Sequence, residues 1–212
     1  MKNSGFSRRN FLSLGATAVV GSLITTTAVA SNSRATPEQA EGPFFPKHRQ
    51  ADKNADMTQI EGIVGRATGE IITIAGRVLD TDGKPVNNAL IDIWQADHKG
   101  RYRHEDAPET SPLDTNFQYW AQLKTGEDGS YNIKTIKPGK YPAIEDWIRP
   151  PHIHFKVARR GMRELTTQMY FANEPLNKKD RLYLGAPESE RGSIVVDIKH
   201  GKGEFNIILA KV

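Results

Sequence analysis

Ile71-Ile72-Thr73-Ile74-Ala75-Gly76-Arg77-Val78-Leu79 runs straight into Asp80-Thr81-Asp82-Gly83, and this junction of a β-branched run with a turn decides the reading of the chain. β-Branched side chains fit a pleated surface, while Asp and Gly supply the conformations that a tight reversal needs. The same grammar recurs downstream. Ala89 to Trp94, Trp120 to Lys124, Ser130 to Ile136, His152 to Ala158, Leu165 to Phe171, Ile194 to Lys199 and Phe205 to Leu209 are strand candidates. Gly126-Glu127-Asp128-Gly129 and Gly201-Lys202-Gly203 read as turns between them. Past the first thirty residues no stretch carries helical periodicity. Many short strands with frequent turns predict an all-β fold, an antiparallel β-sandwich over residues 71–212.

Two connections are longer than such a sandwich requires, Gln95 to Tyr119 and Lys137 to Pro151. Long loops in a compact domain are usually functional. The first carries Gly100-Arg101-Tyr102-Arg103-His104, and the second carries Lys137-Pro138-Gly139-Lys140-Tyr141-Pro142. Upstream, residues 31–70 read as an extended N-terminal segment. Within it, Glu41-Gly42-Pro43-Phe44-Phe45-Pro46 sets two aromatics between prolines and is expected to lie against the body of the domain.

Residues 1–30 have the form of a twin-arginine signal. Ser7-Arg8-Arg9-Asn10-Phe11-Leu12 precedes a mildly apolar run from Leu14 to Ile24, and Ala28-Val29-Ala30 supplies a small-x-small cleavage pattern. The run is broken by Gly15, Gly21 and Ser22 and is too short for a stable membrane span. An exported, periplasmic or extracellular protein is therefore expected. The formal charge is +4, but Lys2, Arg8 and Arg9 carry three of those charges and no acid precedes Glu38, so the rest of the chain is close to neutral. That leaves no basic stripe for nucleic acid. With no cysteine, disulfides are excluded, and any metal must be held by His, Tyr, Asp or Glu.

Arg149-Pro150-Pro151-His152-Ile153-His154-Phe155 is where a metal could be held. On a strand, residues two apart point the same way, so His152 and His154 share one face while Ile153 and Phe155 face the core. The two prolines keep the approach extended. A His-x-His pair alone recurs by chance. It needs further ligands, and the nearest carboxylates in sequence are Glu145 and Asp146.

The combination is more specific than any one motif. Thr36-Pro37-Glu38-Gln39 with Glu41-Gly42-Pro43-Phe44, Ile93-Trp94-Gln95-Ala96, Gly100 to His104, Leu113-Asp114-Thr115-Asn116-Phe117, Lys137 to Pro142, and Trp147 before Arg149 to Phe155 stand in order. Together, over about Thr36 to Phe171, they closely resemble the intradiol ring-cleavage dioxygenases. The resemblance implies an Fe(III) site ligated by Tyr102, Tyr141, His152 and His154. It also implies a small aromatic diol and O2 as substrates, with the ring opened between its two hydroxyl-bearing carbons to a muconate-type diacid. Phenolate oxygen suits ferric iron, a hard and highly charged ion, and binding deprotonates a phenol whose free pKa is about 10.

By the same resemblance, Tyr102 and His152 are equatorial ligands and Tyr141 and His154 axial ones. Tyr141 is displaced when substrate binds and doubles as a base. Arg149 lies over the substrate ring, and Gln168 in Thr166-Thr167-Gln168-Met169 supports the site from behind. Gly42 and Pro43 wall the substrate pocket. The chain has neither the long helical N-terminal extension nor the longer insertion of catechol-type members, and so looks like the protocatechuate branch. That branch pairs two related chains; here one chain carries every motif, so a homo-oligomer or a self-contained monomer is expected. The protocatechuate pattern places Pro-Trp after the second tyrosine, where this chain has Pro142-Ala143. Ala143 thus opens the pocket wall, with Trp147 the nearest aromatic to refill it. The alternatives are a non-catalytic, exported, transthyretin-like β-sandwich used for binding, and a copper or zinc site at His152 and His154.

Overall fold

The computed structural model describes residues 33–48, 50, 52–144 and 146–212; the segment read as a signal, residues 1–30, lies outside them. Strand β1 (Ile71–Asp80) buries Ile72, Ile74, Val78 and Asp80 at alternate positions, as the sequence pattern requires. It pairs antiparallel with β4 (Ser130–Ile136), from Ile71 opposite Ile136 to Arg77 opposite Ser130. A second sheet runs in the order β3 (Trp120–Lys124), β2 (Leu90–Trp94), β7 (His152–Ala158), β8 (Leu165–Phe171) and β9 (Val195–Val196). β2, β3, β7 and β8 pair antiparallel throughout.

The two sheets bury their facing sides in one cluster. Ile72, Ile74 and Ile133 come from the first sheet, and Ile91, Ile93, Ile153 and Phe155 from the second. Phe155 packs against Phe205 at 5.0 Å and Tyr131 at 6.0 Å between ring centres. Each fully buried side chain of this size contributes roughly 1.5–3 kcal/mol. His152 and His154 therefore leave β7 on its other face, and that face is buried too.

Three features depart from the pattern read in the sequence. First, the sheets are mixed: β10 (Lys202–Glu204) and β11 (Ile207–Leu209) pair parallel with β1, and β9 pairs parallel with β8. The expected strands over 194–199 and 205–209 shrink to Val195–Val196 and Ile207–Leu209. Part of the expected Gly201-Lys202-Gly203 turn is itself strand. The cause is a tight reversal at His200 and Gly201, both with positive φ, where Lys199 and Lys202 exchange backbone hydrogen bonds of 2.8 and 2.9 Å. Gly203 can join β1 because any Cβ there would stand 2.6 Å from Val196 and Ile198 methyls.

Second, residues 137–151 are not all loop. They contain a hairpin of β5 (Tyr141–Ile144) and β6 (Trp147–Arg149), hidden in the sequence by Pro142 and an irregular register between Pro142 and Ile144. Third, helix α1 (Arg181–Gly185) follows β8, a single turn too short to show a period. Asp180 caps it, accepting from the amides of Leu182 and Tyr183 at 2.8 and 2.9 Å. Among the described residues no helix is long and apolar enough to cross a membrane.

The N-terminal segment is stitched to β11 beside β1 and then to β8 of the second sheet. The Thr36 amide donates to the Ile208 carbonyl, Gln39 to the Thr166 carbonyl, and Thr167 Oγ1 to the Pro37 carbonyl. Lys156 pairs with Glu41 at 2.9 Å. This route carries Gly42 to Phe45 over the buried histidines.

Candidate metal centre

Central placement of β7 fixes the histidines. It lies between β2 and β8, with His154 opposite both Trp94 and Gln168, and His152 opposite Tyr170. The Trp94 ring stacks on the His154 imidazole, 4.6 Å between centres and 11° from parallel. His152 Nδ1 sits 2.7 Å from the Pro150 carbonyl oxygen. A carbonyl only accepts, so this nitrogen carries the proton and Nε2 presents its lone pair to the interior of the site.

The two long connections bring in the phenols. Tyr102 Oη lies 3.2 Å from His154 Nε2 and 3.4 Å from His152 Nε2, and the two Nε2 atoms are 3.1 Å apart. Tyr141, the first residue of β5, sets its ring 5.4 Å from that of Tyr102 and 5.8 Å from that of His152. Phe44 covers both phenols, with ring centres at 4.7 Å from Tyr102 and 5.9 Å from Tyr141. All four side chains are buried.

Electrostatics follow from that burial. Desolvation pushes the Tyr102 hydroxyl well above the ordinary phenol range, reinforced by Tyr141 and opposed by Arg149. Tyr141 is raised for the same first reason, against the pull of Arg149. Burial and then the Arg149 charge hold both histidines well below the usual imidazole range. With protein groups alone, the site is two phenols and two neutral imidazoles. A multivalent cation would invert the phenol preference and leave the imidazoles as ready ligands.

Arg149 does not sit at the surface. It is buried, its Nε donates to Asp180 at 2.7 Å, and one Nη donates to Gln168 Oε1 at 2.6 Å. The same Nη is 3.4 Å from the Tyr170 hydroxyl, which itself donates to Gln168 Oε1 at 3.2 Å. Gln168 in turn donates to the Ala40 carbonyl at 2.9 Å, so the N-terminal segment, β8 and β6 share one network. Sequence reasoning missed Asp180 and Tyr170. A cap before a one-turn helix was the only local signal for the first. The alternation of β8 was the signal for the second, since Tyr170 lies two residues from Gln168.

The remaining expected residues divide. Gly42 does reach the centre: a Cβ there would stand 3.7 Å from His154 Cε1. Pro43 is exposed. Ala143 packs with the aromatic cluster of Trp94, Tyr102 and Tyr141, and it is Phe44 and Phe45 that accompany it there. Trp147 does not refill that wall. Its indole lies between the guanidiniums of Arg149 and Arg181, at 5.2 and 5.3 Å.

The donor set fits a metal ion. Separations of 3.1–3.4 Å are those of neighbouring ligands each about 2.1 Å from one centre. Among the described residues no three His, Cys, Asp or Glu side chains gather to hold a metal, so a metal at the histidines draws on the phenols. A cleft of about 1280 Å³ lies away from the centre and is lined by Gly76, Arg77, Tyr131 and Lys202 among others.

A family model described as Dioxygenase matches residues 40–202. The chain is 40% identical over 167 residues to the protocatechuate 3,4-dioxygenase beta chain of Burkholderia cepacia, covering 73% of this chain and 70% of that one. It is 30% identical over 154 residues to catechol 1,2-dioxygenase 2 of Acinetobacter lwoffii, covering 66% of this chain and 52% of that relative, about half its length. Among solved structures, it superposes on the dioxygenase domain of a dioxygenase carbohydrate-binding protein fusion from Streptomyces sp. SirexAA-E. The TM-score is 0.62 at 29% identity, over 84% of this chain and 100% of that one.

Proposed function

The chain belongs to the intradiol dioxygenase family, and from that premise we propose that it holds Fe(III) through Tyr102, Tyr141, His152 and His154 and opens a protocatechuate-like catechol ring. The observation that carries this reading is the triangle of Tyr102 Oη, His152 Nε2 and His154 Nε2, closed within 3.1–3.4 Å beneath a second phenol. Ferric iron held by these residues would supply Lewis-acid chemistry for a catecholate and its reaction with O2. The bond between the two hydroxyl-bearing carbons breaks, and both oxygen atoms enter the resulting muconate-type diacid.

The protein's part is to hold protons, charge and water in place. Tyr141, deprotonated by coordination to the ion, would take a proton from a substrate hydroxyl as it leaves the metal. Arg149 presents a guanidinium to the negative charge that develops on the substrate. Asp180, Gln168 and Tyr170 lock its orientation, so little reorganisation accompanies the reaction. Phe44 and Trp94 exclude water from the centre. Ala143 leaves space for the ring substituent. One chain supplies all of these groups, which supports a monomer or homo-oligomer. Residues 1–30, read as a twin-arginine signal, support activity outside the cytoplasm on exogenous catechols.

The visible spectrum and iron content of the purified chain test the proposal, before and after anaerobic catechol or protocatechuate. The expected result is a broad phenolate-to-ferric band with iron close to one per chain, shifting on addition of substrate. A protein that stays colourless after ferric reconstitution overturns it and leaves a sandwich of this shape used for binding.

A further inference from the structure

Tyr119 has the backbone of a strained residue. Its φ is +64°, a left-handed conformation that non-glycine residues rarely adopt, and it lies immediately before β3. The strain aims its phenol away from the strand and into the buried carboxylate of Asp97, with Tyr119 Oη donating to Asp97 Oδ2 at 3.0 Å. The Asp114 amide donates to the same hydroxyl at 2.8 Å, so the phenol is held from both sides.

Asp97 uses every acceptor it has. Oδ1 accepts from the amides of Lys99 and Arg101 at 2.8 and 3.0 Å, which shapes the turn leading into Tyr102. Its backbone oxygen accepts from the Gly100 amide at 3.0 Å and the Gly139 amide at 2.8 Å. Gly139 stands two residues before Tyr141, as Gly100 stands two before Tyr102. The two loops touch through bare backbone. A Cβ on Gly139 would lie 2.5 Å from the Gly100 nitrogen and the His98 oxygen, and one on Gly100 would collide with the Lys140 carbonyl.

We infer that Asp97, held by Tyr119, is a positioning residue that sets the separation and aim of Tyr102 and Tyr141, and so the affinity and electronic character of the iron site. The inference rests on the ferric reading above and assigns Asp97 no contact with substrate or metal. A merely local turn would need only the two Oδ1 bonds. Tyr119 anchors the Asp97 side chain, and the backbone oxygen of that same residue receives the Gly139 amide, so a displacement of Asp97 is passed to the second loop as well as the first.

The test uses the whole iron-loaded protein with Asp97→Ala, Asp97→Asn and Tyr119→Phe. Asparagine keeps an acceptor for the Lys99 and Arg101 amides; phenylalanine removes one hydroxyl and keeps the ring. Asp97→Ala is expected to lose iron to a chelator roughly 10–100-fold faster than wild type, the usual cost of removing an outer partner of a ligand, and to shift the phenolate band. Asp97→Asn is expected within about threefold of wild type, and Tyr119→Phe between the two. Circular dichroism of the metal-free proteins separates this from unfolding. If Asp97→Ala does not fold, Tyr119→Phe decides: a band and chelation rate matching wild type overturn the inference. So does a folded Asp97→Ala with the wild-type band and rate. A wild-type chain without any phenolate band overturns the ferric reading, and this inference with it.

Discussion

The two faces of β7 are both buried, yet they are built differently. Ile153 and Phe155 join a cluster drawn from both sheets, where stability comes from apolar area and a neighbour can move to fill a gap. His152 and His154 meet Trp94, Tyr102, Tyr141 and the N-terminal segment, where the outcome depends on atoms held within a few tenths of an ångström. Burial alone says nothing about which face stabilises the fold and which one works. The polar groups and the aim of their lone pairs make the distinction.

Substitutions on the two faces should therefore fail in opposite ways. His154→Ala should cost more iron retention and turnover than the roughly 100-fold that loss of an outer partner costs, while leaving the thermal midpoint of the metal-free protein near wild type. Metal analysis beside calorimetry would show it, and a variant that keeps its iron would erase the contrast. On the opposite face, Phe155→Ala should destabilise by about 3–5 kcal/mol in urea unfolding, because a wholly buried ring is removed, and the surviving folded fraction should still bind iron.

Asp180→Asn probes the border between the faces. It presents an amide donor to Arg149 and leaves a buried guanidinium without its counter-charge, at an expected cost of about 3 kcal/mol. Turnover should fall with it, since Arg149 is freed, and steady-state rates alongside denaturation separate the two losses.

The metal-free protein should also respond to pH through the histidine face. His152 and His154 have folded-state affinities for protons well below those of the unfolded chain. As pH falls below about 6.5 the unfolded state gains protons that the folded state refuses, so stability declines by up to about 1.4 kcal/mol per pH unit for each histidine. Above about pH 10 the raised Tyr102 works in the same sense, since only the unfolded chain ionises there. Stability curves at a series of pH values should show both slopes, and Phe155→Ala should leave them unchanged. The smallest effect expected is Gly42→Ala, about 1 kcal/mol from its positive φ, since its Cβ would meet only an ordinary contact at His154.

What the sequence makes legible follows the same division. Alternation assigned the residues of β1, β7 and β8 to their faces because side-chain direction along a strand is a local, period-two property. His152 and His154 followed from the same rule, and the motifs around Tyr102 and Tyr141 from resemblance. The parallel partners of β1 were not legible, because pairing of Ile71–Asp80 with residues beyond 200 leaves no mark on either segment alone. Asp180 was hidden for a similar reason: it lies 31 residues from Arg149, and an acid before a short apolar turn reads as a helix cap. It is a cap, and the same carboxylate holds the guanidinium with its other oxygen.

The stitch between Thr36 and Ile208 carries a consequence for how the molecule is made. Each residue's amide is satisfied by the other, across a separation of 172 positions, and the strap that covers the phenols begins there. A chain emerging from the ribosome has no β11 to receive Thr36 until Ile207–Leu209 have been synthesised. The sheets can start to pair earlier, but the cover over the histidines closes only after β11 is in place. Until then the four side chains proposed as ligands lie uncovered, so an ion that reached them would be enclosed only once β11 has formed and the strap has lain down.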